Sequence, residues 1–160
     1  MNQAIPLLAG FVLRPMTEED LADVLRIEEA TQVTPWSMGV FRDCLRGGYQ
    51  CQVMAKGEQI AGFLVVSRVL DEAHLLNIAV APAQQRRGLA WATIHALCDD
   101  LRERDTGFIY LEVREGNQGA RTLYERLGCE VTGVRKDYYR KPGGREHAIL
   151  MLLRLRGDHK

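Results

Sequence analysis

Three groups of residues have the types and spacing to do chemistry. The first is Gln85-Arg86-Arg87-Gly88-Leu89-Ala90, a basic, glycine-bearing segment between a strand-like run and an amphipathic helical run. The first N–H groups of a helix have no acceptor within the helix, and the helix dipole favours negative charge at that end. A glycine there lets the backbone approach a diphosphate closely, and two arginines add charge and hydrogen bonds. The hexapeptide alone reads equally as a solvated basic turn; its strand-turn-helix setting favours a phosphate cradle. Neither G-x-x-x-x-G-K nor G-x-G-x-x-G is present, which argues against ATP and NAD as the anion.

The second group is built on Glu112 and Tyr124. In the strand-like run Phe108 to Val113, Glu112 alternates with apolar Leu111 and Val113, so it shares a face with Tyr110 and Phe108. A carboxylate there suits a general base, acting directly or through water with its pKa raised by partial desolvation. An ion pair with a neighbour such as Arg114 is the competing reading. Tyr124 sits at helical spacing from Ala120 and Leu127, which points it inward, and a buried tyrosine normally finds a partner for its hydroxyl. The third group is aromatic: Trp36, Tyr138 and Tyr139 suit the walls of a groove for an extended peptide, although Trp36 and one tyrosine read equally as packing residues.

Positioning these side chains requires a mixed fold. Phe11 to Arg14 reads as a strand, and Thr17 as a helix cap with Asp20 three residues on and Met16 and Leu21 placed as a hydrophobic staple. Leu21, Val24, Leu25 and Glu28 carry the periodicity of that helix. Ser37 caps a shorter one through Leu45, ended by Gly47-Gly48. Strands follow at Gln50 to Ala55 and Gln59 to Val69 around Lys56-Gly57-Glu58, then at Ala73 to Val80, ended by Pro82. A helix spans Leu89 to Arg104, Phe108 to Val113 is a strand, and a helix with the stripe Ala120, Leu123, Tyr124 and Leu127 stops at Gly128. Cys129 to Arg135 and His147 to Leu155 close the chain as strands, with a Pro142-Gly143-Gly144 turn before the second. The order implies an α/β (α+β) domain whose helices cover both faces of a mixed, mostly antiparallel sheet. Residues 1 to 9 and 156 to 160 read as loose ends, and the rest as a single domain.

Composition narrows the function. The 160 residues carry 21 Lys+Arg and 21 Asp+Glu, so no basic excess draws the chain to a nucleic-acid backbone. Cys44, Cys51, Cys98 and Cys129 form no C-x-x-C pair and no zinc-spaced cluster, which favours free thiols and predicts no metal. His74, His95 and His159 carry no recognisable pairing. The opening MNQAIPLLAG has no basic leader and too short an apolar run for a signal peptide or membrane span, so the expected location is the cytoplasm.

Gln85-Arg86-Arg87-Gly88-Leu89-Ala90, following Asn77-Ile78-Ala79-Val80-Ala81-Pro82, resembles the acetyl-CoA-binding Q/R-x-x-G-x-G/A motif of the GNAT acetyltransferase superfamily. The resemblance extends through Leu111 to Arg114, Asn117, Leu123 to Gly128, Tyr138-Tyr139, Gly144-Arg145-Glu146 and Pro35-Trp36-Ser37. That set looks like the bacterial ribosomal-protein-alanine N-acetyltransferase branch. It implies two parallel strands, Ala73 to Val80 and Phe108 to Val113, splayed apart around acetyl-CoA. Backbone groups of Ile78, Ala79 and Val80 would hold the pantetheine arm and thioester carbonyl, Gln85 to Ala90 the diphosphate, and Asn117 a further cofactor contact. Glu112 would be the base, and Tyr124 the acid that protonates the leaving thiolate. Three departures stand out: Ala90 replaces the last glycine, Gly116 stands where the branch often has serine, and His147 where an acidic residue is common.

An α-amine with pKa near 7.8 is roughly 10% free base at pH 7, against about 0.04% for a lysine near 10.4, so a protein N-terminus asks less of the base. The family reading names the N-terminal alanine of a small-subunit ribosomal protein, acetylated by direct transfer in a ternary complex by a monomer or weak homodimer with no direct nucleic-acid or membrane partner. The rivals are a lysine Nε- or small-amine acetyltransferase and a non-catalytic acyl-CoA-binding module.

Overall fold

The computed structural model describes residues 4–156. They form two compact units, 4–67 with 76–99 and 68–75 with 100–156.

The first unit holds β1 (Ile5–Pro6), β2 (Val12–Pro15), α1 (Leu21–Thr31), α2 (Met38–Arg46), β3 (Gln50–Lys56), most of β4 (Gln59–Val69), the end of β5 (Glu72–Val80) and most of α3 (Leu89–Glu103). Its strands run in the order β1-β2-β3-β4-β5, with antiparallel pairing from β1 to β4. Leu21, Val24 and Ile27 of α1 and Phe41 and Cys44 of α2 pack into one cluster with Val53, Phe63 and Val65. The rings of Phe41 and Phe63 meet edge to face at 5.4 Å, a favoured aromatic geometry. Leu64 and Val66, on the opposite face of β4, are also fully buried, which explains why β4 reads as a continuous apolar run rather than an alternating one.

Thr17 precedes a short 3₁₀ turn, Glu18–Asp20, and the α-helix starts only at Leu21. The Asp20 carboxylate accepts the Thr17 N–H at 2.8 Å and both terminal nitrogens of Arg14 at 2.9 Å. This bidentate pair locks the end of β2 to the start of α1. Ser37 caps α2 as expected, its Oγ accepting the Val40 N–H at 3.3 Å.

The second unit holds the start of β5, then β6 (Phe108–Arg114), α4 (Gln118–Arg126), β7 (Glu130–Lys141) and β8 (Gly144–Arg154), in the strand order β5-β6-β8-β7. The expected mixed sheet is present. β5 and β6 are parallel from Glu72↔Phe108 to Leu75↔Leu111, where the ladder ends although β5 continues to Val80 and β6 to Arg114. β6 with β8 and β7 with β8 are antiparallel.

Several boundaries differ from those expected. β1 lies inside a segment read as loose; residues 1–3 and 157–160 of the expected loose ends, with His159, fall outside the described residues. β7 and β8 run to Lys141 and from Gly144, well beyond Arg135 and before His147, because the turn closes directly at Lys141↔Gly144 with Gly143 at φ +82°. β7 is largely exposed, so its charged residues show no apolar alternation. Such charges are typical of a protected sheet edge.

Gly62 marks a close approach of β4 to the end of β5. A Cβ there would stand 2.5 Å from the Ala79 carbonyl oxygen and 2.7 Å from Met54 Sδ. Gly62→Ala is therefore expected to lower stability by about 1–3 kcal/mol, the usual range for overpacking, read as a lower urea midpoint at unchanged slope. Asp20 supplies a pH test. Burial pushes its carboxyl up, but Arg14 and the hydrogen bonds from Thr17 outweigh this and hold it below its ordinary 3.8. A depressed acid stabilises the fold above its ordinary value, and this contribution is lost as pH falls through the folded value. Urea midpoints of the wild type should therefore drop more steeply between about pH 4 and pH 2 than those of Asp20→Asn.

Candidate active site

The phosphate-type cradle lies in the first unit. Pro82–Gln84 form a 3₁₀ turn after β5, and α3 begins at Leu89. The Ala92 N–H donates to the Gly88 carbonyl at 2.9 Å, so the N–H groups of Gly88, Leu89 and Ala90 have no acceptor within α3. Arg86 at φ +66° and Gly88 at φ +89° are both left-handed, the kind of backbone that makes successive N–H groups converge on an anion. The cradle's chemistry therefore suits a diphosphate. The Gln85 carboxamide donates to the Val80 carbonyl at 2.9 Å, which makes this side chain a brace between the turn and the end of β5. Arg87 turns toward a cavity of about 140 Å³ that it shares with Lys56. Ile78, Ala79 and Val80 occupy the end of β5, with Ala79 and Val80 buried.

Glu112, Tyr124, Tyr138 and Tyr139 lie in the second unit. Glu112 sits on β6 as the alternation predicts, with Ile109, Leu111 and Val113 buried on the other face. It pairs with Arg135 at 3.5 Å, which gives the ion-pair reading a concrete partner. Arg114 is engaged elsewhere: it donates to the Arg140 carbonyl at 2.9 Å and Glu146 at 3.3 Å, and its guanidinium lies 4.4 Å from the Tyr139 ring centre. Arg135 stacks at 4.1 Å over Tyr138, and the two tyrosine rings meet at 5.0 Å.

The tyrosines have altered acidity. Burial pushes the Tyr139 hydroxyl up to about 12, assisted by the negative charge of Glu112 and by Tyr138, and opposed by Arg114. Tyr124 is 6% exposed, and burial, with smaller effects of Cys129 and Tyr139, raises its hydroxyl further. Tyr124 therefore stays protonated throughout the neutral range.

Asn117 has a structural role that the sequence reading missed: its Oδ1 accepts the Ala120 N–H at 3.2 Å and caps α4. Trp36 is in the first unit, partly buried, with its ring 5.2 Å from Phe41. The packing reading of Trp36 thus has a concrete partner. Glu146 is a further residue that sequence reading left without a role. It accepts the Gly116 N–H at 2.7 Å as well as Arg114, tying the start of the α4 loop to the β7–β8 hairpin. At the third departure, His147 Nδ1 accepts the Asp137 N–H at 3.0 Å, where β7 bulges between Arg135 and Tyr139 and Asp137 is left-handed at φ +51°.

Residues 17–129 match the acetyltransferase (GNAT) family. The chain belongs to the GNAT acetyltransferase family. It is 38% identical over 133 residues to the [ribosomal protein bS18]-alanine N-acetyltransferase of Haemophilus influenzae, an alignment that covers 82% of this chain and 90% of that protein. The crystal structure of the ribosomal-protein-S18-alanine N-acetyltransferase from Escherichia coli superposes with a TM-score of 0.85 at 35% identity, covering 94% of this chain and 98% of that one. A Salmonella typhimurium protein solved with its cofactor acetyl-CoA shares the fold, with a TM-score of 0.75 at 19% identity over 94% of this chain and 97% of its own. Among the described residues no group of three or more His, Cys, Asp or Glu side chains could hold a metal, and no helix is long and apolar enough to cross a membrane.

The turn before α3 depends on left-handed backbone at Gly88. A Cβ there would have room, since Leu8 Cδ2 lies at 3.5 Å, so any penalty comes from φ alone. Gly88→Ala should cost about 1 kcal/mol in urea denaturation, and Gly88→Asn less, because asparagine tolerates this conformation better.

Proposed function

We propose that this chain transfers the acetyl group of acetyl-CoA to the α-amine of a protein N-terminus, the N-terminal alanine of a ribosomal protein. The observation that carries the chemistry is the pair Glu112 and Tyr124 in a GNAT chain: a strand-borne carboxylate and a buried tyrosine are the two proton-transfer groups that aminolysis of a thioester needs. The likeness to ribosomal-protein-alanine acetyltransferases of Haemophilus influenzae and Escherichia coli supports the choice of acceptor.

When bound, acetyl-CoA supplies the activated acetyl group. The N–H groups at the start of α3 and the left-handed turn at Arg86 and Gly88 hold its diphosphate, with Arg86 and Arg87 adding charge. Backbone groups of Ile78 to Val80 orient its arm, Asn117 contributes from the start of α4, and Gln85 keeps the turn braced on Val80. Glu112 takes a proton from the acceptor amine, directly or through one water. A C–N bond forms, the C–S bond breaks, and the Tyr124 hydroxyl gives its proton to the departing sulfur. Tyr124 keeps its proton across the neutral range, so the hydroxyl has one to give. Trp36, Tyr138 and Tyr139 bear on the peptide, and Arg135 and Arg114 steady the two tyrosines from above their rings. The enzyme works in the cytoplasm as a monomer or weak homodimer, with no direct nucleic-acid or membrane partner.

Glu112→Gln and Tyr124→Phe should each lower turnover by about 100-fold or more, the usual scale of general acid-base help, with acetyl-CoA affinity little changed. Mass measurement of peptides differing in their first residue, with free and blocked N-termini, tests the acceptor. Acetylation that needs the free α-amine and favours alanine supports the reading; modification of blocked peptides at lysine, or normal turnover in both variants, overturns it.

A further inference from the structure

Glu28, in the last turn of α1, is 1% exposed. Both of its oxygens are held by neutral donors. The Trp36 N–H donates to Oε2 at 2.9 Å, and Asn77 Nδ2 donates to Oε1 at 3.0 Å. Asn77 Oδ1 in turn accepts from Gln32 Nε2 at 3.5 Å. Burial pushes the Glu28 carboxyl above its ordinary value, and the two donors pull it back only in part. An apolar side chain of similar volume would fill this place without desolvating a charge, so packing does not account for a glutamate.

The contacts do account for it. They join three pieces of the first unit: the end of α1, the loop of residues 32–37 that carries Trp36, and β5 at Asn77, immediately before Ile78. β5 has its own supports, the close packing of Gly62 on Ala79, the Ala81 N–H bond to the Ala61 carbonyl at 2.7 Å, and the Gln85 brace on Val80. Glu28 joins the backbone of that loop at Trp36 to Asn77 of β5, and Gln32, at the start of the loop, adds a longer bond to Asn77 at 3.5 Å.

We propose that Glu28 is a positioning residue for the acceptor peptide, its carboxylate holding the loop that bears Trp36 against β5. The inference rests on the acetyltransferase reading above. It assigns Glu28 no contact with substrate and no proton transfer.

The polarity of the relay gives a sharp test. Carboxylate oxygens only accept, so Glu28 dictates that the Asn77 carboxamide turn its nitrogen toward it and its oxygen toward Gln32. Glu28→Gln can keep every bond: its oxygen still accepts the Trp36 N–H, its nitrogen donates to a flipped Asn77 carboxamide, and Gln32 flips in response. Glu28→Ala loses both bonds. Asn77→Asp sets a second carboxylate against the first, and Glu28→Gln combined with Asn77→Asp restores a donor facing an acceptor.

Steady-state kinetics with an alanine-first ribosomal-protein peptide should show the peptide KM of Glu28→Ala raised about tenfold or more, on the scale of one lost hydrogen bond, with the acetyl-CoA KM within about twofold. Glu28→Gln should stay within about threefold of wild type for both. The Asn77→Asp defect should be relieved in the double variant. Unchanged peptide KM in folded Glu28→Ala, a parallel rise of both KM values, or no relief in the double variant overturns the proposal. Amide hydrogen exchange at Trp36, read by NMR on the free protein, supplies a measurement that needs no substrate: it should speed up about tenfold or more in Glu28→Ala and stay near wild type in Glu28→Gln. Unchanged exchange in Glu28→Ala overturns the clamp, whereas a wild-type chain that acetylates none of the peptides overturns the acetyltransferase reading and leaves the clamp standing.

Discussion

A strand that offers its backbone to a ligand cannot also spend that backbone on a neighbouring strand, and must be held by something else. The end of β5, proposed to hold the cofactor arm, is such a strand. Its parallel ladder with β6 stops at Leu75, yet the strand keeps an extended course to Val80. Within the first unit the support comes from particular contacts: the missing side chain at Gly62 lets β4 press on Ala79, the Ala61 carbonyl receives the Ala81 N–H, Gln85 grips Val80 and Glu28 grips Asn77. These contacts add to the pairing of β5 with its neighbour β4. The strand end is thereby rigid without being fully paired, a condition that suits a preorganised site.

The second unit solves a different problem, how to keep ionisable side chains close together on one face of a sheet. Glu112, Arg135, Tyr138, Tyr139 and Arg114 alternate charge with aromatic faces, so each cation has a carboxylate or a ring to meet. Cations stacked on rings can be held without burying an unpaired charge. Tyr124 stands apart in its deeper burial and holds its proton tightly for that reason.

Much of this was readable in the chain itself, and what was not has a physical cause. The turn at Gln85 to Ala90 was legible because Gly88 and the onset of a 3.6-residue period fall together, and Glu112 because strand alternation leaves one acid among apolar residues. Its ion-pair partner on β7 was not legible. Arg114 lies two positions along the same face, but the bulged β7 brings Arg135 to Glu112 while Glu146 and the Arg140 carbonyl capture Arg114. The extension of β7 to Lys141 was hidden because an exposed edge strand needs no apolar pattern. Glu28 read as one more position in a helical stripe, since its partners lie eight and 49 residues away and nothing local announces them. Asn117 read as a cofactor contact, yet an asparagine just before a helical run carries an equally direct signal as a cap.

The pairing of Gly116 with Glu146 bears on how the chain tolerates residues borrowed from its relatives. A Cβ at Gly116 would stand 2.6 Å from Glu146 Oε2, so the carboxylate occupies the room that a side chain would need. Installing serine there, the choice common in the branch it resembles, would dislodge Glu146 from the Gly116 N–H. The displaced atom is the tip of a flexible side chain, so the cost of such a change turns on whether Glu146 can swing aside and still keep Arg114.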